Sequence, residues 1–195
     1  MYVNKEIEFK TFITEEQYNY LIKKFELENN VFPQTNYYFD TEDTKLLNEK
    51  TVLRIRQKGE NFKITKKTRA DVGADETHIL ISKEKALDLL KNGFDAIIIG
   101  LPYYVNKIAE LTTYRCSIPY KDGTLFFDKS VYYGHIDYEI EYEVDDVNQG
   151  TKDFEQFLKE YNITYKESIR KSKRAFDNRK WWMVLVTIFI LLKVS

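Results

Sequence analysis

The sequence predicts an α+β protein whose strands outnumber its helices and can close into a barrel. About eight stretches alternate apolar and polar residues, and this period of two places successive side chains on opposite faces of a strand. Other stretches carry apolar residues at helical spacing. The 15 Tyr and 13 Phe residues also favour strands. Eight antiparallel strands of this length can form a closed β-barrel, which removes exposed sheet edges.

The composition is typical of one soluble domain with a tail. Of the 195 residues, 43% are hydrophobic and 31% are charged, which argues against global disorder. The net charge of −1 indicates no polyionic partner, so we expect no nucleic acid binding. The single cysteine, Cys116, excludes an internal disulfide framework and fits a reducing compartment. Because the charged N-terminal stretch is not typical of a signal peptide, we expect a cytoplasmic protein.

The elements follow one another with recognisable boundaries. After a strand over residues 1–10, Thr14-Glu-Glu-Gln17 forms a capping box that opens a helix to about Leu27. A second helix is predicted from Ser82 to Lys91, where Asn92-Gly93 ends it, and a third over residues 152–161. Further strands are predicted over residues 35–40, 51–57, 61–68, 75–81, 108–119, 124–129 and 135–145.

Charged residues in these strands are segregated by sign on one face. A solvated outer face is the ordinary explanation for polar strand positions, but such a face usually mixes signs and uses uncharged polar residues. Like charges on neighbouring positions cost stability, so their clustering suggests that a ligand compensates for it. The acidic positions are Glu6, Glu8, Asp137, Glu139, Glu141 and Glu143, and the basic positions are Arg54, Arg56, Lys63, Lys67 and Arg115.

This segregation points to a metal–polyphosphate ligand. Two glutamates two residues apart on a strand lie roughly 6.7 Å apart along the backbone, so their carboxylates can converge on one hard cation such as Mg²⁺ or Mn²⁺. Arg and Lys side chains bind phosphate oxygens. Leaving these charges buried without a ligand costs several kcal/mol each. We therefore expect a hydrated tunnel rather than a packed barrel interior.

Glu6-Ile7-Glu8-Phe9-Lys10 resembles the ExExK signature of the CYTH superfamily, also called triphosphate tunnel metalloenzymes. The resemblance extends from residue 1 to about residue 176 and is greatest to small Gram-positive bacterial proteins described as adenylate cyclases. It implies an eight-stranded antiparallel closed β-barrel with flanking helices, whose interior binds a triphosphate and a divalent metal. The motifs that follow the signature are Leu53-Arg54-Ile55-Arg56, Ile64-Thr65-Lys66-Lys67, Glu76, Arg115, Asp128, the acidic strand Asp137 to Glu143, and Ser172-Lys173.

The resemblance also implies a role for each matched residue. Strand parity adds Lys63 to the phosphate-binding set and turns Lys66 outward. Two features depart from the family pattern: Thr113 stands where many members have a base, and Glu143 adds a third acid to the last strand. The expected metal ligands are Glu6, Glu8, Asp128, Glu139 and Glu141; the expected phosphate ligands are Arg54, Arg56, Lys63, Lys67, Arg115 and Lys173; and Lys10 and Glu76 are the expected catalytic residues.

Three functions are compatible with these residues. The favoured one is a metal-dependent triphosphate hydrolase, with Mg²⁺ or Mn²⁺ as cofactor, that releases orthophosphate from inorganic tripolyphosphate or a related organic triphosphate. A class IV type adenylate cyclase would use the same charged cavity but requires an adenine-binding pocket, for which the sequence carries no unambiguous signature. A non-catalytic polyphosphate or nucleotide-binding module is the third.

The C-terminal end departs from the rest in composition. Residues 1–178 form the expected CYTH domain, and residues 179–195 form an apolar tail of open role. Trp181 to Leu192 is an uncharged run of 12 residues, short of the roughly 20 that span a bilayer. An interfacial anchor, an element packed on the barrel and an oligomer contact are left open, of which membrane contact is not favoured. A homodimer is compatible with the sequence.

Overall fold

The structure is a computed structural model that describes residues 1–179, and it confirms an α+β fold with a closed eight-stranded antiparallel β-barrel. The strands are β1 (Tyr2–Ile13), β2 (Phe32–Asp40), β3 (Val52–Lys58), β4 (Asn61–Arg69), β5 (Ala74–Ile81), β6 (Phe94–Asp95), β7 (Tyr104–Tyr120), β8 (Gly123–Tyr132) and β9 (His135–Val144). The helices are α1 (Glu15–Lys24), α2 (Lys45–Asn48), α3 (Lys83–Asn92), α4 (Val147–Glu160) and α5 (residues 171–179).

Strand pairing closes the sheet into a ring. The order around the wall is β2–β3–β4–β5–β1–β9–β8–β7, and a long antiparallel pairing of β2 with β7 completes it. Each of these eight strands therefore has a hydrogen-bonded neighbour on both sides, which leaves no strand edge for aggregation. The two-residue β6 pairs only with the start of β7, through Phe94 opposite Val105.

Most of the apolar core lies outside the barrel wall, and a smaller cluster that includes Tyr38, Leu111 and Ala175 lies on the inner face where α5 packs. Helices α1 and α4 pack on the outer faces of β1, β8 and β9, where Phe127 and Phe157 are fully buried. Helix α3 covers β3, β4 and β5, where Ile55 and Ile64 are fully buried. Because the apolar face of each strand is used against helices, the inner face is free to carry the charged residues.

Local sequence signals placed the main helices correctly. The Thr14 side chain accepts a hydrogen bond from the Gln17 amide, and Gln17 reaches back to the Thr14 amide, as the capping box predicts. Ser82 caps α3, and Gly93 ends it with a φ of 76°, which a residue with a Cβ adopts at a cost. Helix α4 begins five residues before the predicted start at residue 152, because Asp146 caps it by accepting from the Gln149 amide.

Residues 166–179, here called the C-terminal segment, lie across one end of the barrel. The Lys166 carbonyl accepts hydrogen bonds from the Phe12 amide (3.1 Å) and the Thr11 hydroxyl (3.1 Å). Arg170 reaches the Lys50 carbonyl at 3.4 Å. The segment therefore joins the end of β1 to the loop before β3. No helix among residues 1–179 is both long and apolar enough to cross a membrane. The tail beyond residue 179 lies outside the described residues.

Candidate active site

The inner face of the barrel surrounds a cavity of about 1110 Å³. As expected, charged side chains from opposite walls line one cavity, and strand parity correctly placed Lys63 toward it. Asp128 and Glu139 are the two predicted site residues that do not line it. Those that do are Glu6, Glu8, Lys10, Arg54, Arg56, Lys63, Lys67, Glu76, Arg115, Glu141 and Lys173.

One wall carries three carboxylates that converge. Oxygens of Glu6, Glu8 and Glu143 all lie within 4.8 Å of one another, and Glu8 stands directly opposite Glu143 in the pairing of β1 with β9. Burial, and then the neighbouring Glu6, raise the pKa of Glu143 to about 7. Carboxylates held this close repel one another, so the group favours a cation.

Two lysines partly compensate this group. Lys10 donates to Glu8 at 2.7 Å. Lys67 forms an ion pair with Glu6 and lies 3.4 Å from Glu8. Glu143, in contrast, has no ion pair with any residue in 1–179. The cluster of Glu6, Glu8 and Glu143 therefore remains short of positive charge.

The opposite wall is crowded with cations. In the pairing of β2, β3 and β4, Arg56 lies between Asn36 and Lys63, and its Nε donates to the Asn36 side chain at 2.9 Å. Burial, followed by repulsion from Arg54 and Arg115, lowers the pKa of Arg56 to about 9. Both causes disfavour the charged guanidinium, and a bound anion beside Arg54 and Arg56 would relieve the repulsion between them.

Several donors on this wall have no partner within the described chain. The Asn36 amide nitrogen, the Tyr38 hydroxyl and the Arg54 Nε are buried without a hydrogen bond. A buried donor without a partner costs about 1–3 kcal/mol, so three of them on one wall point to a bound acceptor. Sequence analysis missed Asn36 and Tyr38 because they are uncharged; the alternation of Gln34, Asn36 and Tyr38 along β2 was the available signal.

Glu76 lies among cations rather than beside the other acids. Its carboxylate is 3.6 Å from Arg54, 3.8 Å from Lys67 and 3.2 Å from the His78 ring. Glu76 and Lys10, the two expected catalytic residues, thus both line the cavity, and each contacts a residue of the opposite charge.

A second acidic group is already neutralised by the protein. Oxygens of Asp128, Glu139 and Glu141 lie within 4.8 Å of one another, and all three residues are buried. Lys171 pairs with all three, at 2.8 Å from Asp128 and 2.6 Å from Glu141. Arg115 also pairs with Asp128 and Glu141. A metal ion bound between Asp128 and Glu139 would have to displace Lys171.

The C-terminal segment brings Lys171 and Arg174 to the buried acidic group in addition to placing the expected Lys173 at the cavity rim. The Lys173 side chain is 54% exposed at the cavity rim, and its ammonium pairs with Asp177 at 2.6 Å. Lys171, two residues earlier, is 12% exposed and reaches the acidic group inside the barrel. Arg174 joins it by pairing with Glu139 at 2.7 Å. Thr113, which stands where many family members have a base, is buried, and its hydroxyl lies 3.4 Å from the Ser130 hydroxyl.

Residues 4–176 match the sequence model of a protein family, the CYTH domain. The chain belongs to the CYTH domain family. Among the similar proteins is YjbK from Bacillus subtilis, a proposed triphosphatase, which is 30% identical over 183 residues, or 90% of this chain and 96% of its own.

Solved CYTH-like structures agree with the fold. A Bacillus halodurans protein, a proposed adenylate cyclase, superimposes with a TM-score of 0.82 and 32% identity over 89% of this chain and 98% of its own. A Hippeastrum protein, a proposed adenylyl cyclase with a dominant triphosphatase activity, superimposes with a TM-score of 0.71 and 19% identity over 91% of this chain and 95% of its own. The second likeness supports the fold alone.

Proposed function

We propose that this CYTH protein is a divalent-metal-dependent triphosphate hydrolase that releases orthophosphate from inorganic tripolyphosphate or a related organic triphosphate. The observation that carries the proposal is the division of one cavity into an undercompensated acidic cluster and a wall of crowded cations with unpartnered donors. The 30% identity to YjbK, a proposed triphosphatase, supports it.

The basic wall would bind the phosphate chain. Arg54, Arg56 and Lys63 supply charge, and the free donors of Asn36 and Tyr38 supply neutral hydrogen bonds to phosphate oxygens. Glu76 would hold Arg54 and Lys67 in place through its ion pairs. Since phosphoryl transfer depends mainly on positioning and on stabilising charge, fixed cations account for much of the expected rate.

The acidic cluster fits a Mg²⁺ or Mn²⁺ ion. Its members are hard carboxylate donors, their oxygens are close enough to share one ion, and Glu143 has no cationic partner in residues 1–179. We propose that Glu6, Glu8 and Glu143 hold the metal, with Glu141 beside them, while Asp128 and Glu139 anchor Lys171. When bound, the ion would neutralise phosphate charge and activate water. Lys10, which donates a hydrogen bond to Glu8 at 2.7 Å, would stabilise charge next to this cluster.

A substrate panel tests the reaction. The protein would be incubated with tripolyphosphate and with ATP, each with Mg²⁺, Mn²⁺ or EDTA, and the products assayed for orthophosphate and cyclic AMP. We expect orthophosphate release that EDTA abolishes. Cyclic AMP as the main product of ATP would instead establish the cyclase alternative, and tight binding without turnover under every metal would establish a binding module.

The substitution Glu6→Gln tests the metal cluster. Removing one charge from the proposed ligand set should lower kcat/KM on the order of 100-fold or more, because a bound metal supplies several kcal/mol of stabilisation to the transition state. Glu110→Gln, an exposed acid on β7 outside the cavity, is the matched control and should retain activity. Wild-type turnover in a folded Glu6→Gln protein would contradict the assignment.

A further inference from the structure

The buried acidic group of Asp128, Glu139 and Glu141 has the donor chemistry of a divalent-metal site. Carboxylate oxygens are the ligands that Mg²⁺ and Mn²⁺ prefer, and one oxygen from each residue lies within 4.8 Å of the other two. The three residues are 0%, 1% and 6% exposed, respectively. Carboxylates buried this closely cannot all stay ionised without cations, so the group must either bind a metal ion or receive positive charge from the chain.

A lysine occupies the position that such an ion would take. The Lys171 ammonium lies 2.8 Å from Asp128 and 2.6 Å from Glu141, and it also pairs with Glu139. A lysine ammonium has three N–H donors, so three carboxylates can use all of them. One tethered cation is therefore shared by all three acids, as a metal ion would be.

Two arginines complete the neutralisation of the group. Arg115 donates to both carboxylate oxygens of Asp128, at 2.7 and 2.6 Å, and it also pairs with Glu141. Arg174 pairs with Glu139 at 2.7 Å. Together with Lys171, the arginines supply three cations for three carboxylates, so the group needs no further positive charge.

The chain also fixes the position of Lys171. Ser168, three residues earlier, donates to Glu139 at 2.7 Å, and Arg174, three residues later, pairs with the same carboxylate. Ala175 is fully buried in the apolar cluster on the inner face of the barrel. The main chain is thus held on both sides of Lys171, which keeps its ammonium directed at the acids.

The buried acidic group is also poorly placed for a hydrated ion. Mg²⁺ usually keeps several water ligands when it binds to a protein. Asp128 and Glu139 do not line the cavity, whereas Lys171 does, so an ion would have to pass the lysine and lose most of its water. By contrast, all three acids of the other cluster line the cavity, and one of them, Glu143, has no ion pair within residues 1–179.

We infer that Lys171 takes the place of a second divalent ion, so that each chain binds one such ion in the cavity rather than two. This inference rests on the proposed function in taking Glu6, Glu8 and Glu143 as the site of that ion. It assigns to Lys171 the charge-balancing role that a second ion would otherwise have between Asp128 and Glu139.

Counting bound Mn²⁺ tests the inference. The metal-free protein would be titrated with Mn²⁺ alone, and the free ion followed by electron paramagnetic resonance. The wild type and Lys171→Arg should bind one ion per chain, whereas Lys171→Ala, which vacates the position between the acids, should bind two. Glu6→Gln should raise the Kd of the single ion on the order of tenfold or more. Lys152→Met, which replaces an exposed lysine on α4, is the matched control and should bind one ion.

Thermal unfolding shows whether the ion can substitute for the lysine. A ligand that binds only the folded state raises the melting temperature. Lys171→Ala should melt below the wild type without metal, and Mn²⁺ should raise its melting temperature by more than it raises that of Lys171→Arg, because the second ion restores the missing charge. An equal rise in the two variants would contradict the substitution.

The outcomes separate the inference from the proposed reaction. Two ions bound by the wild type, or a folded Lys171→Ala protein that binds only one, would overturn the inference. If Lys171→Ala does not fold, the number of ions bound by the wild type still decides. One bound ion in a protein that hydrolyses no triphosphate would support the inference while refuting the hydrolase, and two ions in an active hydrolase would do the reverse.

Discussion

At the scale of single residues, His78 illustrates how the cavity sets the charge of a buried group. Burial, and then the cation of Lys63, lower the pKa of His78 from 6.5 to about 4, although Glu76 lies 3.2 Å away. The ring is therefore neutral near pH 7, so one nitrogen can accept from Thr65 while the other donates to Asn4.

This shift predicts a loss of stability in mild acid. Below pH 6.5 the histidine takes up a proton in the unfolded chain but not in the folded one, so the free energy of unfolding should fall as the pH drops from 6.5 to about 4. Urea unfolding at pH 7, 5.5 and 4 should show a smaller fall for His78→Asn than for the wild type. His135→Asn, which replaces the exposed histidine, should show the same fall in the free energy of unfolding as the wild type. Identical slopes in all three proteins would refute the prediction.

Residue positions inside the barrel could be predicted wherever charge revealed the strand face. Arg54, Arg56 and Lys63 line the cavity because parity in a strand is strict. Asn36 and Tyr38 could not be found this way, since an uncharged residue on an inner face resembles one on an ordinary solvated face. Tertiary contacts, rather than pattern, reveal their free donors.

At the scale of elements, the rotation of α5 about its own axis decides which of its cationic side chains point into the barrel. Lys171 and Arg174 are three residues apart and share one helix face, whereas Lys173 and Asp177, four residues apart, share another. In a stretch rich in Lys and Arg, the positions of the charges alone do not predict which face of the helix is buried. The neighbouring Ala175 (0% exposed) and Phe176 (8%) mark the buried face and could have indicated it.

Replacing these two lysines should separate their roles. Lys171→Met leaves Asp128 and Glu139 buried without their shared cation and should lower the free energy of unfolding by about 3–5 kcal/mol. Lys173→Met removes an exposed pair and should cost about 0.5 kcal/mol or less. Urea unfolding measures both, and Lys171→Arg, which restores the charge, should recover part of the loss. An equal loss in the free energy of unfolding for the two Met variants would show that Lys171 does not stabilise the buried acidic group.

At the scale of the whole molecule, we propose that residues 1–178 are the functional domain. The family match spans residues 4–176, and every cavity residue lies within it except Tyr2. The eight strands and their closure were predictable from periodicity together with the resemblance, because eight amphipathic strands have few other ways to bury their apolar faces, whereas the strand order came from the structure. Short elements such as α2 and β6 escaped prediction, since four and two residues carry no readable period.

A shortened chain tests this domain boundary. A protein ending at residue 179 should keep its kcat/KM within about twofold and its melting temperature within about 4 °C, which corresponds to roughly 1 kcal/mol at this size. Sedimentation with anionic lipid vesicles should be the same for the full and shortened chains. Vesicle binding that requires residues 180–195 would assign the tail to a membrane surface instead.

The barrel wall is a single β-sheet whose outer face packs against helices and whose inner face carries the charged residues of the cavity. Phe127 and Phe157 pack the helices against its outer side, while Arg54 and Glu8 line the cavity on its inner side. A library that varies Arg54, Arg56 and Lys63, and keeps the buried ion pairs of Lys171 and Arg115, would leave the apolar contacts of the outer face intact. The scaffold is thus well suited to evolving new anion receptors without losing its fold.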